Sequence, residues 1–163
     1  LAALEMSDWH RFSETLKLDK FSKNNNLEIN IGCPNASIVD FPTDLIHLFE
    51  GKNISVKMPP TVDINSKIAE FMAVGVTTFH LCNTIPSTKG GISGYPLQKL
   101  SLDAVRSARQ QFGDDITIIG GGGIYTIEDA KSYIEAGADH LSLSTVLFNP
   151  IKARELIKKI SEL

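Results

Sequence analysis

Five short runs rich in β-branched residues recur along this chain, each followed by a helical pattern. That alternation constrains the fold more than any other feature. The runs are Leu27-Glu28-Ile29-Asn30-Ile31, Ile54-Ser55-Val56-Lys57-Met58, Thr77-Thr78-Phe79-His80-Leu81, Ile116-Thr117-Ile118-Ile119 and His140-Leu141-Ser142-Leu143-Ser144. Each stops at a turn signal containing Gly, Pro or Asn, as strands do. The intervening stretches carry helical punctuation. Asp8 to Phe21 places Trp9, Phe12 and Leu16 on one face, and Asp63 is an N-cap for a helix with Ile64, Ile68, Phe71 and Met72. Ser101 is expected to cap a helix with Leu102, Val105 and Ala108. Thr126 and Asp129 form a capping-box pattern ahead of Gly137, and Asn149-Pro150 opens a last helix with Leu156 and Ile160. Strand-helix alternation predicts an α/β fold with a parallel sheet of five strands and about six helices. In such sheets ligands sit at the carboxyl ends of the strands, so the residues after each run carry the functional reading.

Composition sets the outer limits. The 163 residues suit one domain, 1–163, and a charge of −3 from 16 Lys+Arg and 19 Asp+Glu leaves no basic footprint for nucleic acid. No apolar run approaches the ~20 residues of a membrane span. Cys33 and Cys82 cannot build a disulfide framework, which favours a reducing compartment and a cytoplasmic setting. Histidines 10, 47, 80 and 140 show no metal-ligand spacing, and no metal site is assigned; His80 and His140, inside strand patterns, read as packed side chains. The chain opens on Leu1, which leads us to expect a processed piece or a fragment.

At the first strand end, Cys33-Pro34-Asn35 places a thiol beside an amide, either as base or nucleophile or as a small turn residue. Lys57 ends the second strand, where an ammonium is costly unless it meets an anion or acceptor or reaches water along its stem. Cys82-Asn83-Thr84 follows the third, with Cys82 read as a packing residue. Gly90, Gly91 and Gly94 then let backbone N–H groups approach a ligand, unless they form a flexible surface loop. The fourth strand enters Gly120-Gly121-Gly122-Gly123 ahead of the Thr126 helix, and the fifth enters Ser144-Thr145. Gly120-x-Gly122 is half of a dinucleotide fingerprint, but Tyr125 holds the third glycine position. The two consecutive ends fit better the phosphate site built by the last two strands of a (β/α)8 barrel.

Taken in order, Asn30-Ile-Gly-Cys33-Pro34-Asn35, Val56-Lys57-Met-Pro-Pro, Asn83-Thr84, Gly90-Gly91-Ile-Ser-Gly94, Ile118-Ile119-Gly-Gly-Gly122-Gly123-Ile124 and Ser144-Thr145 resemble the dihydroorotate dehydrogenases over residues 24–163. The resemblance covers strands four to eight of that flavoprotein barrel and extends more loosely to dihydropyrimidine dehydrogenases. It implies an FMN-dependent oxidoreductase of pyrimidine biosynthesis, present as a partial (β/α)8 barrel. By resemblance, Cys33 is the base that takes the C5 proton of dihydroorotate, and a Cys in that role is similar to the soluble class 1 enzymes. Asn30, Asn35, Asn83 and Thr84 are implied to bind the pyrimidine, with Asn30 also near the flavin. Lys57, Gly94, Gly122, Gly123, Ser144 and Thr145 are implied to bind FMN. In the family, hydride passes from C6 to the flavin, and the reduced flavin hands electrons to a second acceptor.

Two departures stand out. Ser144 replaces a usual glycine, and the first three βα units, with a second flavin-contacting lysine, have no counterpart. A (β/α)8 barrel takes about 250 residues. The 163 here therefore predict about five-eighths of a barrel, with two open strand edges and an exposed inner face that favour homo-oligomers. FMN and the pyrimidine are expected to bind the isolated chain weakly. The alternative is a non-catalytic partial barrel that binds a phosphate ligand or serves in self-assembly.

Overall fold

The computed structural model describes residues 6–18, 26–32, 41–60, 63–88 and 90–163. Five strands, β1 (Asn26–Asn30), β2 (Asn53–Lys57), β3 (Thr78–Leu81), β6 (Thr117–Gly121) and β7 (His140–Ser142), form one sheet in the order β1-β2-β3-β6-β7. All four pairings are parallel, with Asn30 beside Lys57, Lys57 beside His80, His80 beside Ile119 and Ile119 beside His140. The order steps in one direction with helices between, as in a segment of a (β/α) barrel. The short strands β4 (Ile85–Ser87) and β5 (Gly90–Ile92) pair antiparallel outside this sheet. Gly90 and Gly91 thus stand in a hairpin, and Gly90 takes a φ of +119° that a side chain rarely adopts.

Five α-helices occur among the described residues: α1 (Met6–Leu18), α2 (Ile64–Met72), α3 (Gln98–Phe112), α4 (Ile127–Glu135) and α5 (Pro150–Ile160). Three expected caps are present. Asp63 accepts from Ser66 N, Thr126 and Asp129 cap each other reciprocally, and Asn149 accepts from Lys152 N with Pro150 at the first helical position. Gly137 ends α4 at φ +104°. Ser101 does not cap. The helix starts one turn earlier at Gln98, after a 3-10 turn over Tyr95–Leu97, and Ser101 is fully buried within it. Ser101 shares one buried face with Ala104, Val105 and Ala108, so packing places it inside the helix rather than at its start.

The two faces of the sheet differ in character. Leu27, Ile29, Ile54, Val56, Phe79, Leu81, Ile118 and Leu141 join the core with Ile64, Ile68, Phe71, Val105 and Tyr133 from the helices. Because strand side chains alternate, the other face carries Asn26, Glu28, Asn30, Ser55, Lys57, Thr78, His80, Thr117 and His140, with Ile119 the apolar member. The inner face is therefore polar, which differs from the apolar patch that drives association. His80 is buried, and its Nδ1 lies 2.8 Å from Glu28 Oε2. His140 is exposed on edge strand β7, so it is not a packed side chain. No described helix is long and apolar enough to cross a membrane.

Candidate active site

The carboxyl ends of β1, β2, β3, β6 and β7 share one edge of the sheet, and two clusters form there. In the first, Asn83 follows β3 and is buried. Its Nδ2 donates to Asn30 Oδ1 at 2.7 Å and to Gly32 O at 2.8 Å, while its Oδ1 accepts from Thr84 N at 2.9 Å. Gly32 N also donates to Asn30 Oδ1, at 3.2 Å. Asn83 thus spends both amide protons tying the ends of β1 and β3 together. Asn30 has its oxygen occupied twice, and its own Nδ2 donates to no described residue. Gly32 is required for close approach, since a Cβ there would lie 2.3 Å from Pro59 Cδ. Lys57 ends β2 next to Asn30 in register, on the polar face of the sheet.

The second cluster is a cradle of glycines and hydroxyls. Gly94, after β5, and Gly123, after β6, take φ of +74° and +72°. A Cβ on Gly123 would lie 3.1 Å from Gly94 O, and one on Gly94 would lie 3.3 Å from Thr145 Oγ1. Gly94, Gly123 and Thr145 therefore converge from three separate loops. Gly122 faces the other way: its Cβ would meet Ser101 Oγ at 3.0 Å and Cys82 Sγ at 3.2 Å. Ser144 is exposed at the start of the 3-10 turn Thr145–Phe148. Cys33 and Asn35 lie outside the described residues.

Residues that the sequence reading did not single out hold this cradle. Tyr133, buried on α4, donates its hydroxyl to Gly122 O at 2.7 Å and to Gly121 O at 2.8 Å. Burial pushes its phenol pKa up. Burial also pushes the Cys82 thiol up against the opposing influence of Lys57 and Ser101, so Cys82 stays protonated at neutral pH and is no nucleophile. Burial would raise Asp129 as well, but the Gln98 amide and the Tyr125 and Thr126 groups outweigh it and hold the carboxyl ionised. Nothing in the local pattern marks Tyr133 beforehand, because its partners are backbone carbonyls of another element.

A parallel β/α sheet with convergent amides and closely packed glycines at its carboxyl edge defines a segment of a (β/α) barrel. Residues 5–163 match the model of the family described as dihydroorotate dehydrogenase, and the chain belongs to that family. The catalytic subunit of dihydroorotate dehydrogenase B (NAD(+)) from Oceanobacillus iheyensis is 29% identical, over 93% of this chain and 56% of its own length. The putative dihydroorotate dehydrogenase A (fumarate) of Aquifex aeolicus is 29% identical over 82% of this chain and 52% of its own. The quinone-type enzyme of Legionella pneumophila is 44% identical over 44% of this chain and 21% of its own. The dihydroorotate dehydrogenase of Eimeria tenella, solved with ferulenol, superposes with a TM-score of 0.76 at 19% identity, over 96% of this chain and 54% of that one. Its ligand-free form gives 0.73 at 22% identity, over 90% and 53%. These structural likenesses establish the fold, a partial (β/α)8 barrel. The chain spans about half the length of the curated relatives that it matches along most of its length.

Proposed function

We propose that this chain carries the base-bearing half of an FMN-dependent oxidoreductase that converts dihydroorotate to orotate. The observation that carries the reading is the Asn83 amide, which bonds Asn30 and Gly32 together beside Lys57, at the edge where the glycine cradle also opens. The residues fit a phosphate-bearing flavin. Gly94 and Gly123 bring backbone close together where a side chain on either would crowd Tyr95, Tyr125 or Thr145, and the Thr145 hydroxyl stands beside Gly94. Bound FMN supplies the electron-accepting ring for the oxidation. The protein's part is to bind, orient and move a proton. Asn30 offers Nδ2 as a donor, Asn83 Oδ1 keeps one lone pair, and the Thr84 hydroxyl adds a group of either polarity; together they read the amide edges of a pyrimidine. Lys57 places a cation next to Asn30, where it favours an electron-rich or anionic ligand. Gly94, Gly123, Ser144 and Thr145, with Gly122 through its backbone alone, hold the ribityl phosphate, and Asn35 completes the pyrimidine contacts.

Cys33 is the base that takes the C5 proton. A thiol of ordinary pKa near 8.5 is a poor base at neutral pH, so its deprotonation must be coupled to substrate oxidation or favoured by the site. A cysteine base aligns the chain with class 1 enzymes and a cytoplasmic setting. Titration with FMN should shift the Lys57, Gly94 and Gly123 amide resonances, and added dihydroorotate should bleach the flavin absorbance. Absence of any FMN-dependent shift at those positions refutes the reading. In an active protein containing this segment, Cys33→Ser should remove most turnover, and unchanged turnover refutes the assignment of the base.

A second reading, self-assembly, draws on a different observation. Leu147, Phe148 and Ile151 are 52%, 91% and 76% exposed next to edge strand β7, and the other edge, β1, is also open among the described residues. Copies would bury this apolar surface by pairing along the edges. Light scattering should then show a concentration-dependent homo-oligomer, and a monomer at high concentration rejects it.

A further inference from the structure

Tyr125 fills the third glycine position of a broken dinucleotide fingerprint. In the structure it stands at the cradle. A Cβ built on Gly94 would lie 3.1 Å from Tyr125 Oη and 3.3 Å from Thr145 Oγ1, so the two hydroxyls converge on the same face of Gly94 from two different loops. Both residues are half-buried, and neither hydroxyl hydrogen-bonds to a described residue, although each can donate. The loop that carries Tyr125 is anchored, since Tyr125 N donates to Asp129 Oδ2 at 3.0 Å and Thr126 N to the same oxygen at 2.9 Å. These two amides are thereby spent on Asp129 and leave the phenol as the group with which Tyr125 meets a ligand. Lys152 Nζ stands 5.6 Å from the centre of the Tyr125 ring. A cation over a phenol ring draws electron density from it and strengthens the O–H as a donor, while adding positive potential near the cradle.

Donors without acceptors, a glycine wall and a nearby cation select an anion. We propose that the Tyr125 hydroxyl is a phosphate-binding group of this chain: with Thr145 it grips the oxygens of a phosphate monoester seated over Gly94, and Lys152 tunes it from behind. The inference rests on the cradle reading above and adds to it a residue that sets how strongly phosphate is preferred.

The test compares wild type and Tyr125→Phe, which deletes the hydroxyl and keeps the ring beneath Lys152. The full chain is titrated with inorganic phosphate at constant ionic strength, following the Gly94, Gly123 and Thr145 amides. The wild type should saturate, and Tyr125→Phe should bind about tenfold more weakly, the worth of one hydrogen bond to a charged group. Its melting temperature should equal the wild type's. The preference for FMN over riboflavin, which lacks the phosphate, should shrink by the same factor. Equal phosphate affinity in the two proteins, or an unchanged FMN preference, overturns the role of Tyr125 and leaves the cradle standing. A melting temperature that falls together with affinity assigns the hydroxyl a structural role and also overturns it. No phosphate-dependent shift in the wild type sinks both the cradle and this proposal.

Discussion

Tyr133→Phe isolates what the phenol does for the glycine loop, because the ring and its packing remain. The hydroxyl has one proton and stands within reach of three carbonyls, Gly122 O at 2.7 Å, Gly121 O at 2.8 Å and Gln98 O at 3.4 Å, in a fully buried position. Removing it leaves buried acceptors without a donor, which costs about 1–3 kcal/mol. With about 2 kcal/mol lost, and each kcal/mol worth about 2–4 °C in a chain of this size, the melting temperature should fall by about 4–8 °C. The pH dependence supplies a second check. Burial raises the folded-state pKa of this phenol above its unfolded value of about 10. Above that pH the unfolded chain releases the proton while the folded one keeps it, so stability is full below about pH 10 and declines as pH rises beyond it. Phenylalanine has no such proton. The gap in melting temperature between wild type and variant should therefore narrow as pH rises past about 10. Calorimetry from neutral pH upward measures both effects. A fall of less than about 1 °C, or a gap that holds constant through the alkaline range, refutes the clamp.

Glu28→Gln should flatten the acid limb of the stability curve: the hydrogen bond from His80 holds Glu28 below its ordinary pKa, so the stability it lends is present above the unfolded value and lost as pH falls through the folded one. Urea midpoints from neutral to acidic pH check this, and an unchanged acid limb contradicts it. Gly94→Ala should destabilise by about 1–2 kcal/mol through its positive φ and abolish phosphate binding, since the new methyl would crowd Tyr125 Oη and Thr145 Oγ1; titration of the folded variant decides. Asn83→Ala should cost about 1–3 kcal/mol by taking the Asn83 partner from Gly32 O and Thr84 N, and should weaken orotate binding beyond that of a surface variant with an equal melting temperature.

Much of the architecture was legible because its determinants are local. Strand runs, the Asp63, Thr126 and Asn149 caps and the Gly137 stop depend on near neighbours, and all of them appear in the fold. The strands differ from the apolar runs by one or two residues at their ends, because ladder pairing rather than side-chain character ends a strand. Ser101 shows where local reading stops. Its hydroxyl suits a cap, yet Ser101 falls on the same buried face as Ala104, Val105 and Ala108, and the helix runs one turn past it to Gln98. His140 reads as packed by its place in a strand, but β7 lies at the sheet edge and leaves it exposed.

The alternation of elements, the family and the residues standing at the strand ends are all written in the chain. Those follow from spacing and residue type, which are properties of the chain alone. The tertiary structure decided which of these residues work together. Asn83 is joined to Asn30 across 53 positions, Tyr133 reaches back 11 and 12 residues to the glycine carbonyls, and Tyr125 meets Gly94 from another loop. It also decided that the inner face of the sheet is polar and that Gly122 turns away from the cradle while Gly94 and Gly123 line it. Contacts of this kind depend on how strands are ordered and registered in the sheet, and local residue patterns carry no record of that order.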